Sequence, residues 1–162
     1  MPNEVSLASS ASPSGIRYAH TNLTACDWKR LQSFYVEVFH CEPVGSERNN
    51  KGPTFDALTG IAGGSVQGRH LRLPGHGERG PTLEIFQFSP QEENRPAALN
   101  RPGFAHLAFE VPDVDAKRAE ILRWGGKEFG GLVTIDIPGA GRLTLIYMTD
   151  PEGNIVELQR WH

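Results

Sequence analysis

Four ionisable residues recur at matched places in this chain. His20 and His106 each follow an aromatic residue and an alanine, in Tyr18-Ala19-His20 and Phe104-Ala105-His106, and each precedes an aspartate by seven residues, Asp27 and Asp113. Glu84 and Glu157 lie within apolar runs, Thr82-Leu83-Glu84-Ile85-Phe86 and Ile155-Val156-Glu157-Leu158, 64 and 51 residues beyond their respective histidines. Two imidazoles and two carboxylates, brought together, suit one divalent transition metal such as Zn, Ni, Mn, Fe or Co, with no thiolate in the set. Four ligands around an ion that accepts six leave two positions for water or substrate oxygens. A lone strand histidine is more often structural, and a lone strand glutamate is usually just solvated. The recurrence of both in each half is what favours the metal.

The elements around these residues also repeat. After Asp27, apolar residues fall at Trp28, Leu31, Phe34, Tyr35, Val38 and Phe39, one face of a 3.6-residue period. After Asp113 they fall at Val114, Ile121 and Leu122, with Gly125-Gly126 as the stop. Aspartate suits the start of each helix because its carboxylate accepts an otherwise unpaired N–H of the first turn. Between helix and final strand each half has room for two more strands, about 42–48 and 65–73 in the first and 127–135 and 142–149 in the second. The extra length of the first half falls in the Gly-rich segment 50–64, expected to hold a helical turn around 55–58. Asp150-Pro151-Glu152-Gly153-Asn154 is a strong turn signal. Each half thus reads strand, helix, strand, strand, strand: a first module over 16–88, a polar linker over 89–102 and a second module over 103–162.

Side chains alternate along a strand. With Leu83 and Ile85, Val156 and Leu158, and Leu107 and Phe109 turned toward a helix, Glu84, Glu157 and His106 face the other way. His20, with Tyr18 and Asn22, does the same. If the sheet curls, that face becomes the inside of a cup.

Composition narrows the alternatives. The chain has 162 residues, sixteen Lys+Arg against nineteen Asp+Glu and a net charge of −3, which argues against nucleic acid as the main partner. No apolar run reaches the roughly 18 residues of a membrane span. Residues 1–15 carry no export signal and read as a flexible tail. Cys26 and Cys41 are too few for a disulfide framework and suit a reducing, cytoplasmic setting. Both flank the first helix, where packing is the expected role. His40, His70, His76 and His162 have no counterpart in the other half and read as surface or loop residues. Arg69 and Arg72 read as a solvated strand face. Glycines 60–68 lack the lysine of a phosphate loop, and no Gly-x-Ser-x-Gly elbow is present.

In this order and spacing, the segments resemble the vicinal oxygen chelate superfamily, which includes glyoxalase I, methylmalonyl-CoA epimerase, extradiol dioxygenases and the fosfomycin- and bleomycin-resistance proteins. The resemblance runs from Ile16 to Trp161. It implies an α+β fold of paired βαβββ modules forming an open, eight-stranded mixed-sheet cup, commonly as a homodimer. It also implies His20, Glu84, His106 and Glu157 as metal ligands. An all-His/Glu set is most similar to glyoxalase I. The expected activity is therefore that of a metal-dependent lyase or isomerase acting on a small molecule with vicinal oxygens, by proton transfer through an enediolate. Glu157 is the first choice of base and Glu84 the second. The alternatives are an Fe(II) extradiol-type dioxygenase and a non-catalytic small-molecule binding or resistance protein. Departures concern the substrate. Ile85-Phe86-Gln87-Phe88 stands where glyoxalase I has a Thr and then an Asn, Ala105 precedes His106 where epimerases often pair two histidines, and no glutathione-binding arginine can be assigned.

Overall fold

The computed structural model describes residues 15–162, so the expected tail lies, but for Gly15, outside the described residues. The first helix, α1 (Trp28–Phe39), begins where Asp27 accepts the Arg30 N–H at 3.1 Å, and all six of its periodic apolar residues are buried. It ends at His40, whose φ of 55° is the left-handed conformation that stops a helix. A short α2 (Pro53–Thr59) follows, with proline in its first turn, where the missing N–H has no helical partner to lose. Asp56 ties down the loop after it by accepting the N–H groups of Gly63 and Gly64 at 2.9 and 3.2 Å. Asp113 caps α3 (Val114–Arg123) by accepting the Ala116 N–H at 2.9 Å. Only Val114 and Ile121 of α3 are buried. Leu122, expected on the same face, is 45% exposed, because one residue along a helix turns the side chain by about 100°.

Four strands, β1 (His20–Thr24), β2 (Glu42–Lys51), β3 (Ser65–Arg72) and β4 (Thr82–Ser89), form one sheet in the order β1-β4-β3-β2. A second sheet holds β5 (His106–Glu110), β6 (Lys127–Glu128), β7 (Val133–Ile137), β8 (Gly141–Thr149) and β9 (Ile155–Trp161) in the order β5-β9-β8-β6, with β7 also on β8. In both sheets the first strand runs parallel to the last, and the remaining pairs are antiparallel. This is the expected α+β arrangement of two mixed sheets, with nine strands among the described residues rather than eight. The strand expected over 127–135 is interrupted: between the pairs Glu128↔Met148 and Val133↔Leu145, residues 129–132 oppose only residues 146 and 147. Phe129 and Gly130 both donate to the Tyr147 carbonyl there, so Gly130 and Gly131 loop out of the ladder.

Leu71, Leu83 and Ile85 of the first sheet and Ile146, Met148, Val156 and Leu158 of the second share one core with α1 and α3. Phe39 of α1 stacks on Phe109 of β5, with ring centroids 4.0 Å apart. The buried Tyr35 donates its hydroxyl proton to Asp150 Oδ2 at 3.0 Å. Asp150 Oδ1 accepts the N–H groups of Glu152 and Asn154, and Oδ2 also accepts the Asn154 amide at 2.8 Å. Glu152 then accepts the Cys26 and Asp27 N–H groups at 2.6 and 2.7 Å, just ahead of α1. The turn at 150–154 therefore fastens the first half to the second as well as joining β8 to β9. Among the described residues, no helix is long and apolar enough to cross a membrane.

Candidate metal centre

The alternation that buries Leu83 and Ile85 leaves Glu84 on the opposite face, between two neighbouring strands. Across the parallel ladder it faces Asn22 of β1, and across the antiparallel one it faces His70 of β3. Both carboxylate oxygens are engaged. Oε2 lies 3.3 Å from His20 Nε2 and accepts the Asn22 amide at 3.4 Å, while Oε1 lies 2.8 Å from His70 Nε2. The Thr82 hydroxyl is 2.9 Å from His70 Nδ1 and, being donor and acceptor at once, fixes the ring in either tautomer. Burial lowers the pKa of His70; Glu84 opposes that shift, and Arg48 and His20 add to it.

His70 corrects the reading of it as a surface or loop residue. It is a part-buried strand residue inside the first cluster, its ring 5.6 Å from that of His20. The second half repeats the pattern with another residue type. His106 Nε2 lies 3.3 Å from Glu157 Oε2, and Tyr147 stands opposite Glu157 across β8 and β9. The rings of His106 and Tyr147 are 5.2 Å apart. Burial raises the Tyr147 pKa, and its hydrogen bond and proximity to Glu157 raise it further. His20, His70 and Glu84 thus correspond in position to His106, Tyr147 and Glu157. The signal for the third member was the hairpin register, which requires knowing which residues the intervening turn consumes. Glu157 is only 8% exposed, and His106 Nδ1 is buried without a hydrogen-bond partner among the described residues.

The structure brings the repeated residues together as two pairs. No hydrogen bond or ion pair links His20 or Glu84 to His106 or Glu157. As the side chains stand, no group of three or more His, Cys, Asp or Glu among the described residues is disposed to hold a metal ion. Each pair lies on the face its sheet turns away from the common core. His40, His76 and His162 are exposed, as expected. Arg69 does not lie on a solvated face: it turns into an irregularity of β2 and donates to the Gly45 carbonyl at 2.7 Å, while Arg72 pairs with Glu42 at 3.0 Å. Cys41 is buried, which pushes its thiol up to about 12. Cys26, expected to pack, is exposed.

A cavity of about 450 Å³ adjoins the first pair, running from His70 and Glu84 to Phe55 and Leu58 of α2. A larger one of about 570 Å³, between Cys26 and residues 88–95, contains none of the repeated residues.

Comparisons with known proteins agree with this fold. A glyoxalase family protein from Bacillus cereus is 20% identical, with a TM-score of 0.70 over 90% of this chain and 93% of that one. A glyoxalase family protein from Enterococcus faecalis is 26% identical, with a TM-score of 0.56 over 89% and 95% of the two chains. The virulence protein STM3117 of Salmonella typhimurium is 22% identical, with a TM-score of 0.53 over 91% and 98%. A comparison with curated proteins returns no match. The sequence itself matches one family over residues 17–158, a span that includes both His–Glu pairs and the turn that joins the halves. By that match and this topology, the chain belongs to the Glyoxalase/Bleomycin resistance protein/Dioxygenase superfamily.

Proposed function

We propose that this chain is a metal-dependent enzyme of the glyoxalase I type, a lyase or isomerase that moves a proton next to a carbonyl of a small molecule. Its modules, 16–88 and 103–162, would act as one unit across the linker 89–102. The observation that carries the reading is the duplicated His–Glu pair, with Nε2 to Oε2 distances of 3.3 Å in both halves. Nitrogen and oxygen atoms at such separations are those a cation would draw into its coordination shell, and the donor set suits Zn, Ni, Mn, Fe or Co. His20, Glu84, His106 and Glu157 would hold that ion. When bound, it supplies Lewis acidity toward two vicinal oxygens and so stabilises an enediolate.

The chain's own residues do the rest. Glu157 is the preferred base, being a buried carboxylate, 8% exposed, that stands opposite Tyr147 across β8 and β9. Glu84 is the second choice, because the His70 and Asn22 hydrogen bonds occupy both of its oxygens. Because the two pairs lie on faces turned from a shared core, we assign completion of each site to a second copy of the chain, as a homodimer. Apolar side chains on exposed strands, Val133 and Ile135 at 48% and 45%, are consistent with such a partner.

Elemental analysis of protein purified without added metal tests this directly, with about one divalent ion per complete site expected. Glu157→Gln is expected to lose turnover of a methylglyoxal–thiol adduct while remaining folded; full turnover with retained metal refutes the base assignment. Mixing a His20→Ala/Glu84→Gln chain with a His106→Ala/Glu157→Gln chain is expected to restore one intact site per heterodimer. If either variant alone keeps full metal occupancy, the four-ligand reading fails.

One observation favours a second reading. His20, His70 and Glu84 are two histidines and a carboxylate on a single sheet, the donor types of non-haem Fe(II) oxygenases, and would have to rearrange to take an ion, since as they stand they form no three-ligand group. Oxygen uptake with a catechol after anaerobic iron loading would select it.

A further inference from the structure

The cavity beside Glu84 is built from unlike halves. Its apolar side is a line of rings leading away from the first pair: His70 to Phe86 at 5.9 Å, Phe86 to Phe88 at 6.5 Å and Phe88 to Phe55 at 6.2 Å between centroids. Leu58 and Val66 extend this wall. The floor depends on Gly68, which pairs with Phe86 across β3 and β4. A Cβ at Gly68 would come within 2.5 Å of Phe86 Cδ1, so a side chain there would expel the ring from its place.

The polar side carries one cation. Beyond the irregularity in β2, Arg48 pairs with Gly68, where no side chain obstructs it, and lines the cavity together with His70 and Glu84. The neighbouring arginines of this sheet are turned to the protein, Arg72 pairing with Glu42 and Arg69 donating to the Gly45 carbonyl. Arg48 has no hydrogen-bond or ion-pair partner among the described residues, although its charge is felt at His70. Arg48 is exposed, and a guanidinium open to solvent at the wall of an aromatic cavity, with no protein acceptor to displace, is a receptor for a planar anion. One guanidinium matches one negative charge. A phosphate would find no second guanidinium in this cavity for its second charge, so a carboxylate fits better.

We propose that this cavity binds a small monocarboxylate with an aromatic or branched apolar arm, the arm lying on Phe55, Phe86 and Phe88 and the carboxylate pairing with Arg48. The volume, about 450 Å³, is within the range of roughly 300–1,000 Å³ typical of small-molecule sites. The proposal deepens the glyoxalase-type reading by naming the ligand class, and it rests on that reading for placing the reactive end of the ligand beside Glu84.

The test compares three probes by calorimetric titration of the full-length protein, both metal-stripped and zinc-loaded: benzoylformate, the neutral isostere 1-phenylpropane-1,2-dione, and pyruvate, which lacks the arm. Benzoylformate is expected to bind roughly tenfold or more tightly than either of the others. Arg48→Gln should lower benzoylformate to the level of the dione while leaving dione binding unchanged. Phe88→Leu should weaken both aryl probes and spare pyruvate, and circular dichroism would establish that both variants are folded. Equal affinity for benzoylformate and the dione, an unchanged affinity in Arg48→Gln, or no benzoylformate binding at millimolar concentration would overturn the proposal. Zinc content measured on the same samples separates the two readings. Arg48-dependent discrimination without bound metal leaves this inference standing and sinks the metal centre, whereas stoichiometric metal without discrimination does the reverse.

Discussion

Replacing Tyr35 with phenylalanine removes one hydroxyl from the contact that joins the halves. Tyr35 and Asp150 are both buried, and the hydroxyl lies 3.0 Å from Asp150 Oδ2. Asp150 would keep the Glu152 and Asn154 N–H groups and the Asn154 amide, so the turn should stay closed around a carboxylate short of one donor. A hydrogen bond to a charged group contributes about 1.5–3 kcal/mol, and a neutral one about 1 kcal/mol. At pH 7, Tyr35→Phe should therefore destabilise the protein by about 2 kcal/mol in urea, or about 4–8 °C in melting temperature for a domain of this size. The pH dependence gives a sharper check. Burial raises the Asp150 pKa above its ordinary 3.8, while the bonds from Asn154, the Glu152 N–H and Tyr35 pull it back down. A carboxyl raised on folding contributes stability that is fully present below pH 3.8 and is lost as the pH rises through the folded value. Removing the hydroxyl raises that value further and steepens the loss. The difference between wild type and variant should thus shrink by about 1 kcal/mol on going from pH 7 to a pH low enough to protonate Asp150. A pH-independent difference, or one below about 0.5 kcal/mol at pH 7, would refute this account of how the halves are fastened.

Two further substitutions probe the same architecture. Glu152→Ala deprives the Cys26 and Asp27 N–H groups of their acceptor and should destabilise by about 1 kcal/mol, measured as a shift in urea midpoint with unchanged slope. Gly68→Ala would place a Cβ 2.1 Å from the Ile85 carbonyl oxygen and should destabilise by about 1–3 kcal/mol, whereas Gly130→Ala, with open space around it, should stay within about 0.5 kcal/mol of wild type.

Much of the fold was legible because short-range rules govern it. The Asp27 and Asp113 caps, the six buried residues of α1 and the alternation that turns Glu84 and Glu157 from the core are each set within a few residues of chain. Repetition between the halves then singled out His20, Glu84, His106 and Glu157 from residues that individually say little. What was not legible depended on register and on contacts between halves. His70 looked solitary because its counterpart in the second half is Tyr147, so a search for repeated histidines passes over both. The residue types differ and only the ladder position agrees.

The order of elements, the helix ends and the apolar face of each strand are written in the residues, because these follow from side-chain periodicity and capping chemistry. Folding in three dimensions adds that Asp150 and Glu152 hold α1, that Arg48 stands across from Gly68 without a partner among the described residues, and that the two His–Glu pairs remain separate within one chain. Each of those facts is a distance between residues far apart in sequence. Such distances are set by how two apolar sheet faces share one core, a quantity no local pattern encodes.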